Sequence, residues 1–221
     1  MLDLSPDKIR TAITYLIALI LSIAVHEFGH AFVADKLGDR LPRSQGRVTL
    51  NPIAHIDPIG TIVMPLVITF TGAPLLGWGK PVLTNPLAYT RKLRMKVGHM
   101  LVAAAGPAMN GLLALVVSIV FVVYLRVTHQ DQGAVATNLW LLIRLNIILM
   151  FFNLLPLPPL DGGTVLRGLL PDQFDAILDP LQRYGAFILL ALLMTGLLSY
   201  LMGPAIFVIQ QWGNLLARMV S

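Results

Sequence analysis

The stretch that decides the fold is Thr11–Ala34, TAITYLIALILSIAVHEFGHAFVA, and it predicts a transmembrane helix. Outside the motif His26-Glu27-Phe28-Gly29-His30, no residue of this run is formally charged at neutral pH. Its 24 residues, at about 1.5 Å each in a helix, can cross a hydrocarbon core about 30 Å thick. Ionisable side chains at that depth cost roughly 2.5–3.5 kcal/mol each, so a cluster of them indicates a function.

The clustered residues His26, Glu27 and His30 have the spacing of a metal site. Residues i and i+4 of a helix project from the same face, so the two imidazoles can bind one metal ion. Glu27, the only glutamate in the chain, lies beside that position but cannot replace either imidazole. The pattern is typical of a zinc site that activates a water molecule next to a general base.

The composition predicts an integral membrane protein and excludes an ordinary soluble one. The 221 residues are 56% hydrophobic and 12% charged, and the mean hydropathy is +0.76; soluble domains carry about 25% charged residues. The net charge of +5 does not indicate nucleic-acid binding, because the basic residues lie in short loops. Because the chain has no cysteine, a metal must be held by His, Asp or Glu. The length predicts a single domain over residues 1–221.

The loops between the apolar runs predict the topology. Four runs are long enough to span a membrane: Thr11–Ala34, Val97–Leu125, Ala136–Leu157 and Gly185–Gln210. Segments 36–57 and 80–96 hold four and five basic residues, whereas 128–135 holds none. The positive-inside rule places the basic segments in the cytoplasm and 128–135 outside. The marginal run Ile59–Leu76, which contains Pro65, is then re-entrant; a full span is the alternative.

Two segments resemble short β-strands. Gly46–Pro52 and Lys80–Pro86 are rich in proline and β-branched residues, and each ends in Asn-Pro. Strands there would offer an edge to an extended peptide; ordinary interfacial loops are the alternative. The sequence thus predicts an all-α polytopic membrane protein with about four to six transmembrane helices and a small membrane-associated β element.

The segment 153–163, NLLPLPPLDGG, supplies the candidate for a third metal ligand. Its three prolines must end the preceding helix, and unwound backbone at membrane depth indicates a cavity or water. Asp161 follows directly, and a two-histidine zinc site needs one more protein ligand. The other aspartates lie beside basic residues, on an exposed helix face or on the opposite side of the membrane. Only Asp57 remains as a rival.

These motifs together resemble the site-2 protease family of intramembrane zinc metalloproteases. The resemblance rests on HEFGH, on Gly106-Pro107-Ala108-Met109-Asn110, on NLLPLPPLDGG and on NPIAHIDPIG at 51–60, and it covers about residues 20–170. It implies one zinc ion per chain, bound by His26, His30 and Asp161. It also implies that Glu27 is the general base and that Asn153 contacts substrate near the reacting carbonyl.

The expected function is hydrolysis of peptide bonds in or near transmembrane segments of membrane-protein substrates. The expected location is the cell (inner) membrane, as a multi-pass protein in the lipid bilayer with no nucleic-acid partner. A metal-ion transporter is the first alternative, but transport normally needs a succession of sites. An inactive protease-like scaffold is the second, and the complete HEFGH and Leu160-Asp161-Gly162 motifs argue against it.

Several further polar residues have structural interpretations as well as functional ones. His55 and Asp57 either orient a ligand imidazole or stabilise their own loop, and the loop interpretation is the favoured one. Gly106 and Asn110 are interpreted as residues of helix packing, because small side chains let helices approach and the amide can bridge them. Trp78 is assigned to an aromatic belt at the membrane surface rather than to a substrate site.

Overall fold

The fold is built from α-helices, as seen in a computed structural model that describes residues 5–71, 77–131 and 133–220, without the side chains of 68–71. The α-helices are α1 Pro6–Lys36, α2 Leu41–Ser44, α3 Met64–Thr71, α4 Met95–Thr128, α5 Ala134–Asn153, α6 Asp161–Leu169, α7 Asp175–Met194, α8 Leu197–Leu201 and α9 Gly203–Val220. Short 3-10 or π turns lie at Pro52–His55, Pro58–Val63, Pro86–Ala88 and Asp172–Phe174.

Four helices among the described residues are long and apolar enough to cross a membrane. They are α1, α4, α5 and α7 extended back to Asp172. The first three confirm the predicted spans with small shifts at their ends. Helix α5 stops at Asn153 rather than Leu157 because the prolines that follow cannot donate the hydrogen bonds of a continuing helix.

The fourth predicted span, Gly185–Gln210, is wrong as a single helix. Helix α7 ends at Met194, and Gly196 takes a left-handed conformation with φ of 76°. Such a φ is strained for residues with a β-carbon, so the chain turns at this glycine. The last helix then starts at Gly203-Pro204, where proline is tolerated in the first turn.

Helix α4 lies at the centre and packs against α1, α5 and α6. A β-carbon on Gly29 of α1 would lie 2.6 Å from the carbonyl oxygen of Ala105 on α4, so the two backbones meet closely there. Small residues permit such contacts where helices associate within lipid. An apolar cluster with Ile143 at its centre joins α4, α5 and α9. The close approach of α1 to α4 fixes the surroundings of the HEFGH motif.

Gly60 and Thr61, at the start of the run Ile59–Leu76, contact Trp78, which follows that run; the predicted re-entrant course stays a prediction. The backbone N–H of Trp78 donates to the carbonyl oxygen of Gly60 at 3.2 Å, and the Thr61 hydroxyl donates to the carbonyl oxygen of Trp78 at 2.7 Å. Residues 72–76 lie outside the described part of the chain. The residues before and after this undescribed segment, Gly60 and Trp78, are therefore adjacent, at one end of the helices.

The predicted β element is wrong: neither Gly46–Pro52 nor Lys80–Pro86 forms a strand, and the described ranges contain none. Residues 77–85 do form a non-helical segment across α1, which we call the strap. Its backbone is held largely by side chains rather than by a neighbouring strand. Val82 N–H donates to Glu27 Oε2 at 3.1 Å, and Asn85 N–H donates to Asp39 Oδ2 at 2.6 Å.

Candidate active site

The side chains of His26, His30 and Asp161 converge on one point between α1 and α6. The two Nε2 atoms are 3.0 Å apart. The carboxylate oxygens of Asp161 lie 3.1 Å from Nε2 of His26 and 3.4 Å from Nε2 of His30. His26 is buried, and the other two are largely buried. Three potential ligands from two helices thus face a common centre.

The hydrogen bonds of the two imidazoles direct their lone pairs to that centre. Nδ1 of His26 lies 2.6 Å from Oδ1 of Asn110, and Nδ1 of His30 lies 2.7 Å from the carbonyl oxygen of Val102. Because both partners are acceptors, each Nδ1 carries the proton and each neutral Nε2 presents a lone pair. A hydrogen bond between the two Nε2 atoms would require one imidazole to be doubly protonated.

The donor set fits a zinc ion. The Nε2 lone pairs of the two neutral imidazoles face each other and the Asp161 carboxylate, with no proton between the two imidazoles. Asp161 Oδ2 is also buried without a hydrogen-bond partner. These electron-rich groups repel one another, and a bound cation would remove that repulsion. Two imidazoles and one carboxylate are a known zinc ligand set, with a position left over for water or substrate.

Glu27 lies beside this centre without taking the place of a ligand. Its carboxylate is within 4.8 Å of the ring nitrogens of His26 and His30, so distance alone would allow it to bind a metal. Asp161, however, contacts both imidazoles more closely, at 3.1 and 3.4 Å. One oxygen of Glu27 accepts the Val82 N–H, which fixes the carboxylate against the strap. Glu27 is therefore free for proton transfer.

Two glycines bring Asp161 to the histidines. Asp161 is the first residue of α6, directly after the proline-rich turn. A β-carbon on Gly162 would lie 2.2 Å from the carbonyl oxygen of Leu155, and one on Gly163 would lie 2.6 Å from the backbone nitrogen of Pro158. Side chains larger than hydrogen would push α6 off the turn. The sequence Asp-Gly-Gly is thus required by a close approach of two backbones.

Gly106 has a direct role that its interpretation as a packing residue missed. A β-carbon there would lie 2.4 Å from Nε2 of His30 and 2.6 Å from Nε2 of His26. The space beside the two ligand nitrogens therefore exists because α4 carries glycine at this position. The available signal was the Gly-Pro-Ala-Met-Asn motif in a helix predicted to pack beside HEFGH.

Asn110 also does more than pack. Besides accepting from His26, its amide donates to the carbonyl oxygen of Ser22 at 3.2 Å and to Oδ1 of Asn146 at 2.8 Å. Asn146 in turn donates to the Ser22 hydroxyl at 2.9 Å. All three side chains are fully buried. This network orients His26 across α1, α4 and α5, and the lone asparagines in apolar helices were its only signal in the sequence.

Asn153 lies in the wall of the cavity but contacts none of the three converging residues. Its side-chain amide donates to the carbonyl oxygen of Leu149 at 3.0 Å, one turn earlier in α5. An amide nitrogen has two N–H groups, so one remains for a substrate. The predicted substrate contact stays a prediction.

His55 and Asp57 hold their own loop and do not touch the ligand imidazoles. Asp57 Oδ1 accepts the N–H groups of Ile59 at 3.0 Å and Gly60 at 2.7 Å, which caps the turn that follows. His55 is buried and donates from Nε2 to the carbonyl oxygen of Thr49 at 2.8 Å. Burial lowers the pKa of His55, which favours its neutral form. Asp57 is not a third ligand in this geometry.

Arg47 ties the strap to the rest of the site, and the sequence analysis gave it no role. It is 3% exposed, and its guanidinium donates to the carbonyl oxygens of Ala54 and Lys80. Burial lowers the pKa of Arg47, and the negative charge of Glu27 opposes that shift. Lys80 N–H also donates to the carbonyl oxygen of His55 at 2.9 Å. The strap is thus anchored two residues before Val82.

A cavity of about 520 Å³ opens in front of these groups. Glu27, Asn153 and the converging residues provide its polar side, and Leu149 and Phe152 belong to its apolar side. Trp78 also lines it, with its ring over Gly60. The assignment of Trp78 to an aromatic belt stays a prediction. The cavity can accommodate a few residues of a peptide beside Glu27.

Comparison with known proteins agrees with this geometry. The model of Peptidase family M50, the site-2 protease family, matches residues 14–196. The chain belongs to Peptidase family M50. The match includes the helices that carry the converging residues and the strap. Family membership and the four long apolar helices make the chain a membrane protein.

Three relatives illustrate the similarity of the chain to known proteins. The chain is 38% identical to YwhC of Bacillus subtilis, over 85% of this chain and 83% of that protein. It is 30% identical to Rip2 of Mycolicibacterium smegmatis, over 81% and 66% respectively. Both are provisionally named as zinc metalloproteases. It is 25% identical to the zinc metalloprotease MJ0392 of Methanocaldococcus jannaschii, over 90% and 47%. No solved structure gave a significant match.

Proposed function

We propose that this M50 protein is a zinc endopeptidase that hydrolyses peptide bonds in or near transmembrane segments of membrane-protein substrates. The observation that carries the proposal is the convergence of His26, His30 and Asp161 around one centre, with both histidines in the apolar helix α1. His26 is ten residues from the end of α1, which is about 15 Å along the helix. The peptide bond of the substrate would therefore reach the active site within the membrane rather than at its surface.

His26, His30 and Asp161 would hold one zinc ion per chain. When bound, zinc supplies a Lewis acid that lowers the pKa of water and polarises a carbonyl group. Asn110 and the Val102 carbonyl oxygen keep both imidazoles in the tautomer that binds metal. Such outer partners typically account for 10–100-fold of metal affinity or activity.

Glu27 is the proton carrier of the proposed reaction. Its carboxylate takes a proton from the attacking water while the new C–O bond forms. It returns that proton to the amine nitrogen as the C–N bond breaks. The Val82 N–H holds Oε2 of Glu27, which lines the cavity, and the other carboxylate oxygen is left for the attacking water. The second N–H of the Asn153 amide can donate to the carbonyl oxygen of the substrate.

The position of the strap supports binding of the substrate as an extended chain. A substrate helix has its amides internally bonded, so cleavage requires local unwinding into an extended chain. Gly79, Val82 and Thr84 of the strap line the same cavity as Glu27. An extended peptide lying along this segment would pass in front of the catalytic carboxylate.

Transport of metal ions is the less favoured function. A transport path needs several metal-binding positions in succession. Across the described ranges, His26, Glu27 and His30 form the one group of three or more side chains close enough to hold an ion. The Asp161 carboxylate joins this same centre and does not form a second one.

The function is tested with purified protein in proteoliposomes that contain a model single-span substrate. We expect about one zinc per chain and cleavage products whose new ends map within or next to the span by mass spectrometry. Zinc removal by a chelator should stop cleavage, and added zinc should restore it. Metal uptake into the vesicles without cleavage would support the transporter instead.

We further propose a multi-pass topology in the cell (inner) membrane, with the active site toward the cytoplasm and the amino terminus outside. The basic segments 36–57 and 80–96 support this orientation. Since the chain has no cysteine, single cysteines give clean labelling. Cysteines at the exposed residues Ser44 and Asp131 should react from opposite sides, Ser44 from the cytoplasm. Reaction of both from one side would contradict this topology.

Arg47→Met should lower proteolysis by about 10–100-fold without loss of zinc, because the strap carries the Val82 N–H that fixes Glu27. Misplacement of reacting groups by about 1 Å can cost roughly 100-fold. The matched control is Arg43→Met, since Arg43 is exposed and pairs with Asp35 outside the cavity. Activity and zinc content are measured on both variants. Equal activity of the two would show that the Arg47 anchor does not position Glu27.

A further inference from the structure

Arg144 is an unexplained charge in the middle of a membrane-spanning helix. It is the eleventh residue of α5, so about 15 Å of helix separates it from the start at Ala134. Its side chain is exposed, between the fully buried Ile143 and the buried Leu145. A charged residue at such depth costs several kcal/mol unless it reaches water or a partner, and it indicates a site by default.

Arg144 lines a cavity of about 410 Å³ between the amino-terminal halves of α1 and α5. Side chains on a helix point toward its amino terminus, so the guanidinium is directed toward the membrane surface near Arg10. Arg10 of α1 lines the same cavity. Thr14 and Asn138 contribute polar groups to its wall. This cavity is separate from the one that holds His26 and Asp161.

The charges in this cavity are of one sign. Its lining contains Arg10 and Arg144 and no carboxylate. The nearest acids along the two elements are Asp7, one turn before Arg10, and Asp131 in the loop before α5. Within the described part of the chain, neither acid forms an ion pair with either arginine.

Other arginines of the protein form ion pairs with aspartates. Arg43 binds Asp35, and Arg94 binds Asp172. Two unpaired cations that line the same cavity repel each other. An anion bound between Arg10 and Arg144 would remove it. Guanidinium groups bind phosphate through paired N–H donors.

We propose that the groove between α1 and α5 binds the phosphate of an anionic phospholipid through Arg10 and Arg144. A lipid is favoured over free phosphate because Arg144 lies at a depth that is reached from within the bilayer. Trp140 and Leu141 form an apolar part of the wall beside the arginines, suited to the glycerol and upper acyl region of a lipid. This site concerns the membrane surroundings of the protein and does not depend on the proposed protease activity.

The test measures lipid binding to purified protein in neutral detergent. Phosphatidylglycerol, phosphatidylcholine and inorganic phosphate are titrated separately, with thermal stability and lipid retained after gel filtration as readouts. We expect phosphatidylglycerol to raise the Tm and to remain bound. Arg144→Gln and Arg10→Gln should each weaken its binding at least five-fold, and Arg144→Lys should weaken it less. Arg91→Gln, which removes an exposed charge at the other end of the protein, should bind like the unmodified chain.

Helical circular dichroism and the elution position on gel filtration show whether each variant is folded. Equal binding of phosphatidylcholine and phosphatidylglycerol would overturn the proposal, as would unchanged phosphatidylglycerol binding by Arg144→Gln. Stabilisation by inorganic phosphate equal to that by phosphatidylglycerol would also overturn it, because the site would then be one for free phosphate. If Arg91→Gln lost binding equally, the effect would be one of net charge and not of this groove.

Discussion

Glu27→Gln is expected to leave the protein folded and loaded with zinc but without measurable proteolysis. The amide keeps the size of the side chain and cannot accept a proton. Loss of a general base costs about 10²–10⁴-fold in rate. Because His26, His30 and Asp161 converge without Glu27, zinc content should stay within error of the unmodified protein. The measurements are cleavage of the model substrate and metal analysis of the same sample.

The matched control for this variant is Asp39→Asn. Asp39 is a buried carboxylate that, like Glu27, accepts a backbone N–H of the strap, from Asn85 at 2.6 Å. It is not part of the cavity lining. If the strap contact alone mattered, both variants would be equally inactive. Retention of more than a tenth of the activity by Glu27→Gln would mean that another group activates the water.

The parts of the site predicted from sequence are those defined by local spacing. His26 and His30 lie four residues apart in a helix, so their shared face follows from helix geometry alone. Asp161 was found because three prolines and two glycines are difficult to place anywhere except at a broken helix end. The close approaches at Gly162 and Gly163 give the physical reason for that pattern.

The parts that were missed depend on how helices meet. The bond between Asn110 and His26 exists because α1 and α4 touch at Gly29 and Ala105, and no periodicity within either helix encodes that register. Gly106 looked like a packing residue for the same reason. To predict these contacts, one would have to know which residues of α1 face which residues of α4.

The incorrect strands have a similar origin. Proline and β-branched residues indicate extended backbone, but they do not identify the groups that accept its hydrogen bonds. In this protein Glu27, Asp39 and Arg47 bind the strap, and all three come from elsewhere in the chain. The single span predicted over Gly185–Gln210 failed because hydropathy does not detect a left-handed glycine such as Gly196.

Loss of any one of the three proposed zinc ligands is expected to abolish both zinc binding and proteolysis. His26→Ala, His30→Ala and Asp161→Ala each leave two protein ligands, too few for a stable site of this kind. Asp161→Ala also leaves the lone pairs of the two imidazoles facing each other at 3.0 Å. Zinc per chain is measured after gel filtration, together with cleavage of the model substrate.

Asp57→Ala is the informative control for Asp161→Ala, because both change one aspartate next to a turn. Asp57 accepts two backbone N–H groups of its own loop, so its loss should cost about 0.5–2 kcal/mol of stability, as for other helix caps. Zinc should remain bound. Asp161→Ala should instead lose zinc while its helical circular dichroism is retained. The opposite result, with zinc lost from Asp57→Ala and kept by Asp161→Ala, would exclude Asp161 as the third ligand and leave the convergence of its carboxylate with the two imidazoles without a function.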